Sequence, residues 1–273
     1  MDHTLSPTSC KQTEDERPIQ KIVVGGLIID VLSHKEWAAR IVRYCQNPSS
    51  KRPVLHFSVN GQVIANCASN PAIKQLHDQA DALDADGQPM VFASRLLTST
   101  PLPERVATTD FFHTIAAAAQ ETALSFYFLG STSENLEVAV TAIRRLYPNL
   151  KVAGYRNGYI EPGTEENVIA NIVASKADVL WLGMGVPKQL DFAVRYRDAL
   201  TGVKWIKTCG GLFDYFSPKI RRAPKWMQYC GLEWLFRMLQ EPNKYMWRYL
   251  TTNGHALWLL ITRTHDLTPN DSQ

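Results

Sequence analysis

Residues 81–95 read DALDADGQPMVFASR: three carboxylates lie within six residues, the last precedes a glycine, and an apolar run leads on to a lone arginine. Asp and Gly are ordinary loop formers, so Asp81, Asp84 and Asp86 read first as polar punctuation where a helix ends and a buried segment begins. The second reading makes one of them a positioned base. A carboxylate within hydrogen-bond reach of an attacking hydroxyl can take its proton, a contribution of ~10²–10⁴ in rate. Neighbouring acids raise one another's pKa by like-charge repulsion, which suits that task. Asp86 is the best placed, because Gly87 permits a sharp turn that exposes it. Asp81 and Asp84 fit the helix end and its loop. Asp84-Ala85-Asp86 also spells the Asp-x-Asp of many metal-dependent transferases.

Other groups could serve anionic chemistry. Arginine binds phosphate through two parallel hydrogen bonds, and Arg95, Arg221, Arg222, Arg237 and Arg248 are candidates. Arg105 follows Glu104 and reads as half of a structural ion pair. Gly-rich turns at Gly130, Gly185 and Gly210-Gly211, with Lys188 close to the second, are candidate substrate contacts. In FYFLGSTSENLEVAV, Ser131 and Glu134 match a capping box. A helix starting there would present free N–H groups to a phosphate.

These residues sit at recurring places. Short apolar runs end in Gly, Ser or Asn and give way to helix-like stretches: 54–61 before 62–80, 124–132 before 133–147, 151–158 before 164–176, 177–185 before 187–200, and finally 203–211. Continuous apolar strands alternating with helices predict a mainly parallel, Rossmann-like α/β sheet covered on both faces. Ligands in such folds bind beyond the carboxyl ends of the strands, where this chain puts its glycines. No GxGxxG or GxxxxGK[ST] occurs, which argues against a dinucleotide fold or a P-loop ATPase.

The 273 residues, 45% hydrophobic and 20% charged, are an ordinary globular composition with a net charge of +3. Charge is unevenly spread: eight Lys/Arg against two acids between Lys219 and Arg263 make that stretch +6 and leave about −3 elsewhere. Three of the seven tryptophans lie in SPKIRRAPKWMQYCGLEWLFRMLQEPNKYMWRYL, and Trp258 follows. Pro224 and Pro242 bracket one expected helix, and a second runs from 243 to about 252. Basic, aromatic and amphipathic together suit a helix at an anionic membrane surface. Five scattered cysteines without a CxxC pair fit a reducing cytoplasm. The polar start resembles no export signal, and no run of ~20 apolar residues could span a bilayer. The expected organisation is a disordered tail over 1–20, an α/β core over 21–216, a membrane-associating helical appendage over 217–263 and a polar tail over 264–273.

In order, DADG with Arg95, ERVATTDFF (104–112), GMGVPKQ (183–189) and GGLFDYFSPKIRRAPKWMQYCGLEWLFRMLQEP (210–242) resemble the WecG/TagA/CpsF glycosyltransferases, glycosyltransferase family 26. The resemblance runs from VVGGLIIDVLS (23–33) to Glu241-Pro242, over three quarters of the chain. It implies a GT-E-like core and an inverting hexosyltransferase. Such an enzyme moves a sugar from a UDP-sugar to a polyprenyl-pyrophosphate-linked saccharide, without metal or other cofactor, in teichoic acid, common antigen, capsule or exopolysaccharide synthesis. By position it makes Asp86 the base, adds Arg95 and Gln189 to the reaction site, places Ser58 and Asn60 at the substrate, and assigns the appendage cations to Arg237 and Arg248, with Lys244 between. It implies a peripheral place on the inner face of the cytoplasmic membrane, and a homo-oligomer is possible. Three positions depart from the family: Ser58 stands for a usual Thr, DGxG is DGQP, and PKQE is PKQL, with Leu190 for Glu. The last two flank the expected pocket and bear on which sugar is used; N-acetylmannosamine, its uronic acid and glucose all fit. Rival readings are a non-catalytic nucleotide- or lipid-binding module with a structural DADG, and a nucleic-acid binder. The latter leaves DADG and GMGVPKQ without a role.

Overall fold

The computed structural model describes residues 18–50, 52–216 and 220–272, without the side chains of Lys244, Tyr245, Arg248, Asn270 and Ser272. The expected tail over 1–20 therefore lies almost wholly outside the described residues. The ordered chain opens on a hairpin, β1 (Lys21–Val24) and β2 (Leu27–Asp30), turned by Gly25 and Gly26. Both glycines have positive φ, as this two-residue turn demands. Then follow α1 (His34–Gln46), β3 (Val54–Val59), α2 (Gly61–Ser69), α3 (Pro71–Asp78), β4 (Ala82–Ala85), α4 (Gln88–Leu97) and α5 (Thr108–Thr122). Next come β5 (Ser125–Gly130), α6 (Ser133–Leu146), β6 (Lys151–Arg156), α7 (Glu165–Ala174), β7 (Val179–Gly183), α8 (Lys188–Arg195) and β8 (Trp205–Thr208). A 3-10 turn (Leu212–Phe216) leads to α9 (Lys225–Tyr229), α10 (Glu233–Gln240), α11 (Pro242–Thr262) and the short β9 (His265–Asp266).

Among the described residues, β4-β3-β8-β7-β5-β6 form one sheet, every pair parallel, and β2-β1-β9 form a small antiparallel one. Successive strand residues point to opposite faces, and both faces are apolar. Phe126, Phe128, Trp181 and Trp205 pack under α1, α5 and α6 with Trp37, Phe111 and Phe112. Tyr127, Leu129, Leu180, Leu182 and Ile206 pack under α7 and α8. The expected doubly covered parallel sheet is the observed one. The predicted helix over 62–80 is divided, because Asn70 closes α2 and its side chain caps α3 ahead of Pro71.

Several local expectations need correction. DALDADG is not a helix end: Ala82–Ala85 is the strand β4, with Asp84 inside the sheet, and the apolar run that follows is the helix α4. Gly87 is extended, with φ −157°, so it makes no sharp turn there. Ser131 does not cap α6. Thr132 does, accepting from the Asn135 amide at 3.3 Å, while Ser131 has φ +54° and its amide donates to the Gly183 carbonyl.

The appendage also differs. The stretch between Pro224 and Pro242 holds two short helices broken at Gly231, whose φ is +75°, and α11 runs ten residues past its expected end. Ala256, Leu259 and Leu260 of α11 are buried, the last two in a cluster with Ile22, Val24, Ile29, Ile64 and Met90. The expected polar tail supplies β9 to the hairpin sheet, and buried Thr264 accepts from the Gly25 amide. The C-terminal elements are therefore built into the core.

Candidate active site

The carboxyl ends of β3, β4, β5, β7 and β8 open into a cavity of about 960 Å³, walled on its far side by α10 and α11. Its size is that of a small-molecule site. Backbone packing brings two of these ends together: a Cβ on Gly130 would lie 2.3 Å from the Gly183 carbonyl, so the end of β5 approaches β7 this closely only as a glycine.

Asp86 stands at the cavity wall just past β4, its amide donating to the Val59 carbonyl at 2.7 Å. The segment that follows α4 runs beside it, with the Val106 amide on the Ala85 carbonyl. That places Thr108, the first residue of α5, so that its hydroxyl donates to Asp86 Oδ2 at 3.0 Å. Burial pushes the Asp86 carboxyl up to about 6; Arg105 opposes the rise, Asp84 and Glu233 add to it, and the Thr108 hydrogen bond opposes it. The principal cause is thus burial rather than the repulsion among three acids. A carboxyl titrating there is ionised at neutral pH yet basic enough to hold a proton.

The other two aspartates are engaged elsewhere. Asp81 accepts from the Leu55 amide at 2.8 Å and pairs with Arg197. Asp84 is fully buried between Lys207 Nζ at 2.7 Å and His56 Nε2 at 2.8 Å. Burial alone would raise its pKa, but Lys207 and His56 hold it at about 2. Its carboxylate is turned to partners inside the sheet, so Asp84 and Asp86 do not form a shared ligand pair. Among the described residues no group of three or more His, Cys, Asp or Glu side chains is placed to hold a metal.

The cavity gathers most of the residues the sequence singled out. Ser58, Asn60, Ser131, Gly185, Lys188, Gln189, Gly210, Gly211 and Arg237 all line it. Asn60 caps α2 through the Val63 amide, and buried Gln189 accepts from the Gly210 amide at 3.2 Å, joining the turns after β7 and β8. Ser131 donates to Asp214 at 3.3 Å. Arg237 lies over the Tyr215 ring, 5.2 Å from its centroid. Gly130 sits behind the wall. Arg95 is not in the cavity: it is exposed on α4, where its guanidinium donates to the Pro103 carbonyl. The Arg248 side chain lies outside the described residues. Of the two departures, Pro89 lines the cavity, whereas Leu190 is buried in the core with Val168 and Leu180.

Arg105 occupies the place expected of Arg95. It lines the cavity, and its partner is not Glu104, which pairs with His34, but Glu233 of α10 at 2.7 Å. Arg222 clamps Asp110 of α5 and lies 3.6 Å from Glu233. Gln228 accepts from both arginines. Two arginines and two acids therefore fasten α9 and α10 against the start of α5, beside Asp86. Arg105, read from the sequence as half of an ion pair, is in one, though with Glu233 rather than Glu104. Thr108, Glu233 and Lys207 were not singled out, because each acts through a partner distant in the chain.

Chemically, the wall offers carboxylates, cationic groups and polar donors around a space open to solvent. The family described as "Glycosyl transferase WecG/TagA/CpsF family" matches residues 22–268. A relative from Bacillus subtilis (strain 168), named N-acetylglucosaminyldiphosphoundecaprenol N-acetyl-beta-D-mannosaminyltransferase, is 33% identical over 175 residues, 64% of this chain and 66% of the relative. A relative of the same name from Bacillus spizizenii is 29% identical over 191 residues, 70% of this chain and 72% of its own length. The chain is a member of the WecG/TagA/CpsF family of glycosyltransferases.

Proposed function

We propose that the protein transfers a hexose-type sugar from a UDP-sugar to a saccharide carried on a polyprenyl pyrophosphate, with inversion, at a membrane surface. The observation that carries this reading is Asp86: a single carboxylate raised to about 6 at the cavity wall, with Arg105, Lys188 and Arg237 around the same space. Asp86 takes the proton of the acceptor hydroxyl as its oxygen bonds to the anomeric carbon. The bond from that carbon to the donor phosphate breaks, and UDP leaves with the electron pair. Arginine and lysine side chains stabilise the charge that develops on the leaving diphosphate. The lipid-linked acceptor is supported by the names of both relatives, which specify an N-acetylglucosaminyl diphosphoundecaprenol.

The test is a screen of UDP-sugars against a synthetic lipid-linked acceptor, with products read by mass spectrometry. Asp86→Ala is expected to lower turnover by ~10²–10⁴ with the fold intact by circular dichroism. A variant keeping more than about a tenth of wild-type turnover would remove Asp86 from this role. Turnover is also expected to persist in excess EDTA, because Asp84 is committed to Lys207 and His56. Loss in EDTA with recovery in Mg²⁺ or Mn²⁺ would count against the cationic side chains as sole partners of the leaving group.

A further inference from the structure

The middle of the parallel sheet holds three polar side chains where apolar ones would pack. His56 of β3, Asp84 of β4 and Lys207 of β8 are all fully buried. The register explains how they meet: His56 is level with Lys207, and Ser58 with Asp84, on neighbouring parallel strands. Because side chains two apart share a face, His56 and Ser58 lie with Asp84 and Lys207 under α5. Trp205 donates to His56 Nδ1 at 3.3 Å, so a neutral ring carries its proton on Nε2, the nitrogen 2.8 Å from Asp84. Burial, and then Lys207, push His56 down to about 4, which keeps it neutral. An ion pair buried this deeply gains little stability over apolar packing, so a role beyond packing is to be sought in what it touches.

Lys207 Nζ donates to Asp84 at 2.7 Å and also to Ser58 Oγ at 2.5 Å. Ser58 Oγ is 3.2 Å from Thr108 Oγ1, and Thr108 donates to Asp86 Oδ2 at 3.0 Å. Each hydroxyl has one proton to give. Thr108 spends its proton on Asp86, so Ser58 must donate to Thr108, and Ser58 can then only accept from Lys207. The order of donation runs one way, from ammonium to carboxylate.

We propose that Lys207, anchored by Asp84 and His56, is a positioning residue for the reaction: it polarises the Ser58–Thr108 hydroxyl pair toward Asp86 and so fixes which carboxylate oxygen is left for the acceptor. Oδ2 is held by Thr108, and the incoming proton goes to Oδ1. The charged groups facing Asp86 are then Arg105 from the loop before α5, Glu233 from α10, Asp84 from β4, and Lys207 from β8 through the hydroxyls. This assignment rests on Asp86 being the base.

The experiment is a ¹³C NMR titration of the aspartate carboxyls in the full chain, with the Asp86 signal identified by its loss in Asp86→Asn. It needs no turnover. Ser58→Ala cuts the chain while Lys207 keeps its ion pair with Asp84. It is expected to raise the Asp86 midpoint by about one pH unit, since the Thr108 hydroxyl, no longer polarised by Ser58, donates a weaker hydrogen bond to the charged form. Ser58→Thr, which keeps the hydroxyl, restores the wild-type midpoint. Asp84→Asn/Lys207→Met removes the pair whole. Because it also removes the repulsion by which Asp84 raises Asp86, its own midpoint is only the baseline. Adding Ser58→Ala to it is expected to shift that midpoint far less than in the wild-type background, since the ammonium that polarises Ser58 is gone. Loss of packing alone would lower the melting temperature without moving the midpoint. An unmoved midpoint in Ser58→Ala overturns the proposal, as does an equally large Ser58→Ala shift in the folded double variant. If the double variant does not fold, Ser58→Ala and Ser58→Thr decide. A midpoint that moves in a protein with no transfer activity keeps this network and overturns only the assigned reaction.

Discussion

As the proposed base, Asp86 is competent only when ionised, so on that reading its environment sets the acid limit of activity. With the carboxyl at about 6, kcat/KM is expected to hold above that pH and fall about tenfold per unit below it. The neighbours give the sign of further shifts. Glu233 raises Asp86 and also occupies Arg105, which lowers it. Glu233→Gln removes one influence and releases the other, so both effects move the acid limb of the pH profile to lower pH. Arg105→Ala is expected to move it the opposite way. A limb that stays put in both variants would mean that some other group titrates in the profile. Residue types carried part of this information: Asp86, Ser58, Asn60 and Gln189 were recognisable from motif and family position. The fate of Asp84 was not legible, because an aspartate two residues before Asp86-Gly87 reads as part of a loop, and only the strand order β4-β3-β8 shows that a buried lysine across β3 neutralises it.

At the scale of elements, the alternation of apolar runs with helices gave the parallel sheet, and the glycines marked the strand ends that wall the cavity. What local pattern could not give was the path of the chain after β8. The two short helices α9 and α10 owe their placement to Arg222, Arg105, Asp110, Glu233 and Gln228, whose contacts join residues more than a hundred positions apart. This part-buried cluster is expected to control how firmly α10, and with it Arg237, is held over the cavity. Arg222→Ala leaves Asp110 and Glu233 without that partner and beside each other's charge. Hydrogen exchange should then quicken in α9 and α10 while the amides of β7 and β8 stay protected, and turnover should fall. Unchanged exchange in α10 would show that apolar packing alone holds the wall.

For the molecule as a whole, the proposed function raises the question of how a cavity in a folded protein reaches an acceptor whose isoprenoid chain stays in a bilayer. No helix among the described residues is long and apolar enough to cross a membrane. One helix, though, belongs to both worlds. Tyr249, Asn253, Ala256 and Leu260 of α11 line the cavity, while Trp247, Leu250, Trp258 and Ile261 lie at helical spacing and are exposed, Trp247 by 77%. Trp226 and Tyr229 of α9 and Leu96 of α4 are also exposed. Exposed apolar side chains repeated along one face of a helix suit an interaction site, and tryptophan favours the headgroup layer. Withdrawing the acceptor's chain from lipid would cost ~0.8 kcal/mol per CH₂, so docking α11 on the surface and letting the pyrophosphate enter beside it avoids that cost. Deleting the appendage is no clean test, because Leu259, Leu260 and β9 complete the packing of the hairpin. Trp247→Ser/Trp258→Ser is the better variant, since both side chains point away from the core. It is expected to weaken binding to anionic liposomes at least tenfold and to depress transfer to a long-chain acceptor, yet to leave transfer to a short-chain, water-soluble acceptor near the wild-type rate. Liposome binding as tight as wild type would place the membrane contact elsewhere; equal losses with both acceptors would mean that the tryptophans shape the cavity rather than dock it.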